Sequence, residues 1–418
     1  MFEQVYAAHC AAEESRHTRS AAATAALGRR LTLLALALGT FAIGSGEFGS
    51  NGIIQLFSAD MHVSIPTATY AITAYALGVV IGSPAVTLAA ARLNRRTLLL
   101  CLMGDFVAGN LLSAAAASIG MLAAARFITG VAQGAYFGAS AVVASYVFGP
   151  GRGGKAFAAV MSGLTVATIL GAPLVTFIGQ HLGWRATYVA VAAAGGLAAA
   201  ALAAWVPHTG DLHGGPVSQE LHALRRVPVW TMLLVAALGI SSIFAVYTFI
   251  GPFVTDAAGL SAPLIPVGLV VFGLGMTAGN LLGGRIADAH ESLGLVAGFG
   301  GCLPFLVALG LGGSQVWVLM PCLFGVGATM MMTIPTIQLR LTGFAPEAPT
   351  LMGALNLAAL NLGNALGAEG GAVTIGAGWG TLSTVWAGLV LTVVGLVLYF
   401  TAVPRSHRPV ASLAVAAP

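Results

Sequence analysis

"PHTGDLHGGPVSQELHALRRVPV", residues 207–229, is the one long polar interruption in a chain otherwise built of apolar runs. Proline and glycine punctuate it, as expected of a connecting segment. Working outward from it, each flank holds six runs long enough to cross a bilayer, for which about 20 apolar residues suffice. Before it lie 31–57, 68–90, 97–117, 121–148, 156–179 and 184–206. After it lie 230–255, 264–286, 293–312, 315–340, 350–375 and 379–403. The reading is therefore an all-α integral membrane protein with twelve transmembrane helices in two six-helix halves. Its parts are an N-terminal extension (1–30), a first bundle (31–206), a linker (207–229), a second bundle (230–403) and a tail (404–418).

Composition supports this. Of 418 residues, 58% are hydrophobic and 7% charged, with a mean hydropathy of +0.92; soluble domains carry roughly 25% charged residues. The 56 glycines suit helices that approach closely in lipid. Four cysteines (Cys10, Cys101, Cys302, Cys322) share no close spacing, so they suggest neither a metal knuckle nor a disulfide framework. Residues 1–30 mix both charge signs and read as a poorly ordered cytoplasmic extension rather than a signal peptide.

Basic residues orient the spans. With the N-terminus in the cytoplasm, 15 of the 17 Lys and Arg fall on that side, and only Arg126 and Arg185 lie toward the other. This bias follows the positive-inside rule, with both termini cytoplasmic. It also assigns the net charge of +4 to topology rather than to nucleic acid.

An internal repeat accompanies the six-and-six division. Gly183-Trp184 and Gly378-Trp379 open the sixth and twelfth spans at an offset of 195, and "GVAQG" at Gly130 faces "GVGAT" at Gly325 at the same offset. Halves repeated in parallel orientation place a substrate site between them near the midplane.

One motif misleads. "GPGRGGKAF" (149–157) satisfies a phosphate-loop pattern, but Ala156 replaces the Ser or Thr that would hold magnesium, and the segment joins two spanning helices. No ATPase and no cofactor are expected. The nine histidines lie in tails or away from helix centres, which offers nothing for an intramembrane enzyme. A sensor or scaffold would need a soluble signalling segment larger than these tails.

Between the second and third spans stands "TLAAARLNRR" (87–96), and its counterpart in the second half is "GRIADAHES" (284–292). Here the chain resembles the major facilitator superfamily, whose loop signature combines a glycine, an aspartate and several bases. The first copy keeps Arg92, Arg95 and Arg96 but has Ala91 at the acidic position; the second keeps Gly284 and Asp288 without the bases. The resemblance implies that these loops hold the halves together on the cytoplasmic side. Setting topology alone would also account for the arginines.

The fifth span, "GLTVATILGAPLVTFIGQHLGWR", carries Gly163, Gly171, Pro173 and Gly179. It resembles the family's antiporter motif, with Ala172 separating glycine from proline, and so implies efflux in exchange for protons. An ordinary proline-kinked helix is the plainer reading. In the fourth span, "RFITGVAQGAYFG" resembles another family signature through Arg126, Gly130 and Gly134. That arginine either belongs to the proton path or snorkels to the interface. Several segments, "GEFGSNGI" and "NLGNALGA" among them, look like the drug- and sugar-efflux branch. The resemblance covers about residues 31–403.

"FAIGSGEFGSNGIIQLF" (41–57) sets Glu47 inside the first span, roughly 24 Å from Leu31 along a helix. An embedded carboxylate costs about 2.5–3.5 kcal/mol on insertion scales, and an acid that titrates there suits proton coupling. The flanking glycines thin the helix and would admit water. Reaching headgroups at the outer interface is the alternative. Glu369 and Asp105 are rival acids; an acid at 369 departs from the branch, many of whose members have an aromatic there. Asn51, Gln55, Gln133, Asn280, Gln338 and Asn356 are the candidate cavity amides, which packing would equally explain.

The expectation is a proton-coupled efflux carrier for a small organic molecule such as a drug or sugar, monomeric, in a bacterial inner membrane and driven by the proton gradient. Proton-driven uptake by the same fold is the alternative.

Overall fold

In lipid every backbone polar group must find its partner within the protein, so an apolar chain of this length folds as helices. The computed structural model describes residues 2–90, 93–148, 153–207, 224–289 and 292–403, and among these there is no β-strand. Among the described residues, twelve helices are long and apolar enough to cross a membrane. The first half comprises α1 (Leu27–Gly52), α2 (Ile65–Ala89), α3 (Arg95–Ala114), α4 (Ile119–Phe148), α5 (Ala158–Leu182) and α6 (Trp184–Trp205). The second comprises α7 (Val227–Tyr247), α8 (Ala262–Ala287), α9 (Leu293–Gly312), α10 (Val316–Phe344), α11 (Leu351–Gly376) and α12 (Ser383–Ala402). Six spans per half bring Leu27, Trp205, Val227 and Ala402 to one face, the terminal face; the opposite one is the far face.

Two expected boundaries shift by five residues or more. The first span was expected to reach 57 and the seventh 255, but α1 stops at Gly52 and α7 at Tyr247. The cause is the same in both halves. Ile53 (φ −111°, ψ 9°) and Phe249 (φ −108°, ψ 16°) leave helical geometry, and the chain re-enters helix at Ile54 and at Ile250. At the N-terminus the helix that carries α1 runs Phe2–Gly52.

The repeat is real, and its register is more specific than the sequence suggested. Gly183 (φ 88°) and Gly378 (φ 81°) both take left-handed backbone conformations at the turns before α6 and α12, which explains the paired Gly-Trp. The glycine contacts between α2 and α4 recur between α8 and α10 at an offset of 197. Gly78 abuts the Phe127 carbonyl and Gly275 that of Phe324; Gly82 abuts Val131 and Gly279 abuts Ala328. Gly130 abuts the Tyr75 carbonyl, and its counterpart Gly327 meets that of Phe272. The partner of Gly130 is therefore Gly327, not Gly325. A Cβ at these positions would meet backbone atoms, so glycine is what lets these helices touch.

The halves meet where α2 lies against α11 and α5 against α8. Toward the far face, hydrogen bonds cross the seam. Gln55 Nε2 donates to Thr255 Oγ1 (2.9 Å), Thr73 Oγ1 to Glu369 Oε1 (2.7 Å), and Gln180 Nε2 to the Ala262 carbonyl (2.7 Å).

Candidate functional site

Glu47 and Asn51 lie one turn apart on α1, and Arg126 and Gln133 lie two turns apart on one face of α4, so each pair projects together. The structure brings all four into the interior of the first half, each buried, with Glu47 6% and Arg126 1% exposed. Gln133 Nε2 donates to Glu47 Oε2 at 2.7 Å, and Asn51 Nδ2 donates to the Glu47 carbonyl at 3.2 Å. Arg126 donates to the Gly46 carbonyl at 3.2 Å. Its guanidinium sits 4.2 Å from the Tyr75 ring centre and 5.6 Å from that of Tyr188, the range of cation–π contact. Snorkelling and headgroup contact are thus not what these two residues do.

Local sequence explains the assembly. Gly130 lets α2 press its backbone at Tyr75 against α4, which lays the tyrosine ring over Arg126 one turn away. On the other side of α1, Phe48 packs edge-on to Tyr247 of α7 at 5.4 Å, so Glu47 lies beside the boundary between halves. Several polar atoms here have no partner: Arg126 Nε and Nη1, Gln133 Oε1, Asn51 Oδ1, and the hydroxyls of Tyr75, Tyr188 and Tyr247. Buried polar atoms without a partner in the chain are ones that water or a bound group can satisfy.

The cluster belongs to one half only. At the offset of 197, Tyr75, Arg126 and Gln133 correspond to Phe272, Leu323 and Met330, all buried in the apolar core of the second half. Tyr75 and Tyr188 were missed in the sequence. For Tyr75 the available signal was a tyrosine where the second repeat has Phe272; Tyr188 corresponds to Val385 and carried no such signal.

The glycines of the fifth span face α1. Gly163 abuts Thr40 and the Ala37 carbonyl, Gly171 abuts Ser45, and Gly179 abuts Ile53. In return Gly44 faces Leu164 and Ala167, and Gly49 faces Val175. Gly46 meets Val191 of α6 and Phe106 of α3, so all three glycines around Glu47 are packed against neighbouring helices, where an opening to water was expected. Thr40 Oγ1 fastens the pair by donating to the Val160 carbonyl at 2.7 Å. The irregularity in α5 is a π-helical turn, Ala167–Gly171, just before Pro173; such turns relieve the bond that proline cannot make and recur at functional sites.

The other candidates fall elsewhere. Gln55 is in the far-face seam. Asn356 donates to Gln338 at 2.7 Å within the second half, and Asn280 is exposed and joins neither. Asp105 is half-buried, its Oδ2 unpartnered, with no hydrogen bond or ion pair to the Glu47 cluster. Arg95 is buried and reaches the Ala90 carbonyl, while Arg96 reaches the Ala203 carbonyl of α6. Arg92 and the Asp288 side chain lie outside the described residues. At the far face Asp60 accepts from Trp184 Nε1 (3.0 Å) and Arg185 (2.6 Å), which holds its carboxyl below the usual range.

These features agree with known proteins. The sequence profile of the Major Facilitator Superfamily matches residues 36–368. The chain is 35% identical to the inner membrane transport protein YdhP of Escherichia coli (strain K12) over 385 residues, covering 90% of this chain and 97% of YdhP. It is 34% identical to a chloramphenicol resistance protein of Streptomyces lividans over 379 residues, covering 88% of this chain and 95% of that one. In fold it matches a bacterial homolog of the human lysosomal transporter Spinster, solved in an inward-facing and occupied conformation. There the TM-score is 0.69 at 15% identity, covering 89% of this chain and 96% of that chain. Twelve spans in two repeated halves, a polar cluster beside their boundary and these relatives together make the chain a membrane transporter of the major facilitator superfamily.

Proposed function

We propose that this transporter exports a small organic molecule in exchange for protons by alternating access, with Glu47 as the proton-carrying residue. The observation that carries the reading is the buried contact between Glu47 and Gln133 beside Arg126. Ionised, Glu47 is favoured by the Gln133 donor and the nearby guanidinium; protonated, it loses most of that attraction. Its two charge states therefore interact differently with α4, and a difference of that kind is what a coupled conformational equilibrium needs. The pairing of α1 with the glycine face of α5, next to the π-turn, supplies a seam through which such a change would reach α8 of the second half.

Efflux is favoured by the fifth-span motif and by a relative whose name records chloramphenicol resistance. On this reading the terminal face is cytoplasmic, the carrier works as a monomer in a bacterial inner membrane, and the energy source is the proton gradient. The test is export from cells whose ATP and proton gradient are manipulated separately. Export should survive ATP depletion and collapse with a protonophore. Export that follows ATP would refute the proposal, and net uptake driven by an inward proton gradient would reverse its direction.

A further inference from the structure

Tyr247 is the last residue of α7. Its ring packs between Phe48 of α1, with ring centres 5.4 Å apart, and Phe272 of α8, at 5.0 Å. It is 1% exposed, and its hydroxyl has no partner. Burying an unpaired hydroxyl costs free energy that a phenyl ring of the same shape avoids. The neighbouring aromatics of the segment, Phe244, Phe249 and Phe253, are all phenylalanine and all buried. Packing therefore explains the ring at 247 but not its hydroxyl, which asks for a partner that this arrangement of the helices does not supply.

That partner stands next to Phe48. The Glu47 carboxylate is near enough for its charge to act on the Tyr247 phenol, while Gln133 occupies Glu47 Oε2. Among the described residues, the ionisable groups facing Glu47 are Arg126 of α4, Tyr75 of α2 and Tyr247 of α7. Tyr75 is laid over the Arg126 guanidinium, and both belong to the first half. Tyr247 is the one that comes from the second. Its surroundings close a ring about this turn of α1. Beside Phe272, Gly273 abuts the Thr168 carbonyl in the π-turn of α5, and Gly171 of that turn abuts Ser45.

Resting on the reading of Glu47 as the proton carrier, we propose that Tyr247 is a positioning residue for that acid. When the bond from Gln133 is released, the ionised carboxylate turns to accept from the Tyr247 hydroxyl across the boundary between halves. The acid thus exchanges a donor in its own bundle for one in the other. Protonation removes the charge assistance and frees it again. Phe48 and Phe272 hold the ring, so the hydroxyl alone changes partner. The charge state of Glu47 thereby bears on how the halves sit against each other, which the contact with Gln133, inside one half, does not provide.

The test is infrared difference spectroscopy between acid and alkaline samples of the purified full-length protein, which needs no transported ligand. Wild type should show a carboxyl band and a tyrosine C–O–H band that are both lost in Glu47→Gln. Tyr247→Phe keeps the ring and both aromatic contacts. It should melt at the wild-type temperature, keep the carboxyl band and lose the tyrosine band, whereas Tyr75→Phe should keep both bands. The proposal is overturned if Tyr247→Phe retains the tyrosine band, if Tyr75→Phe loses it, or if wild type shows the carboxyl band without it. If no carboxyl band is lost in Glu47→Gln, the acid does not titrate, which overturns the proton-carrier reading and this proposal with it. The two failures are thus read from different bands.

Discussion

Gln133 and Glu47, 86 positions apart in sequence, share a 2.7 Å hydrogen bond in the interior of the first bundle. Gln133→Leu removes the donor and leaves the carboxylate without its side-chain partner. Unmade bonds to buried polar groups cost about 1–3 kcal/mol, so the variant should insert with reduced thermal stability and a displaced pH profile of export. Gln133→Glu, by contrast, sets two acids against each other and should impair export more strongly. An unchanged pH profile in Gln133→Leu would separate this residue from the proton step.

The contact between α1 and α5 depends on small residues. Gly44→Val would drive its side chain into Leu164 and Ala167, and overpacking of this kind costs about 1–3 kcal/mol. The variant should express poorly or lose transport, while Gly104→Val, where nothing lies within 4 Å, should be tolerated. Pro173→Ala restores a backbone donor next to the π-turn and is expected to insert normally with impaired export. Normal export by both Gly44→Val and Pro173→Ala would reduce this face to ordinary packing.

The far-face seam should open and close during transport. A disulfide between Gln55→Cys and Thr255→Cys, whose native side chains are hydrogen-bonded across the halves, should stop export reversibly under oxidation. Continued export with the bridge formed would contradict alternating access at this seam.

Asp60 provides a pH prediction outside the spans. Trp184 and Arg185 hold its carboxyl below the usual range, so the ionised form is the one favoured by folding. The stability it lends is complete above the ordinary carboxylate range and lost as pH falls through the lowered value. Wild type and Asp60→Asn should therefore differ in thermal stability at neutral pH and converge in strong acid. A difference that grows on acidification would contradict the sign.

Orientation is checked by labelling. A cysteine at Ala115, in the exposed turn between α3 and α4, should react from outside, and one at Arg225 only from the cytoplasm. Labelling of both from the same side would overturn the twelve-span topology.

Much of the fold was legible because bilayer thickness and period are written into composition: apolar runs, the polar linker and paired Gly-Trp turns needed no tertiary knowledge. The ends of α1 and α7 were not, because Ile53 and Phe249 break helix through backbone geometry that apolar residues do not announce. Glu47 and Arg126 were legible as expensive charges in lipid. Their neighbours Tyr75 and Tyr188 were not, since an aromatic in an apolar run looks like core until the fold lays it over a guanidinium. The amides were the least readable. Gln55, Gln133 and Asn356 look alike in sequence, yet they occupy a seam, a buried charge cluster and a contact within the second half.

The central claim is that Glu47 carries the coupled proton. The most direct measurement is substrate-induced proton movement, together with substrate accumulation against a gradient, in vesicles bearing Glu47→Gln, with Glu369→Gln and Asp105→Asn as comparisons. Glu47→Gln keeps size and hydrogen-bonding capacity but cannot release a proton. It should lose accumulation and proton movement while retaining substrate binding and passive exchange, and the other two variants should remain coupled. Full coupling in Glu47→Gln, with coupling lost in Glu369→Gln, would contradict the account and move the proton site to α11.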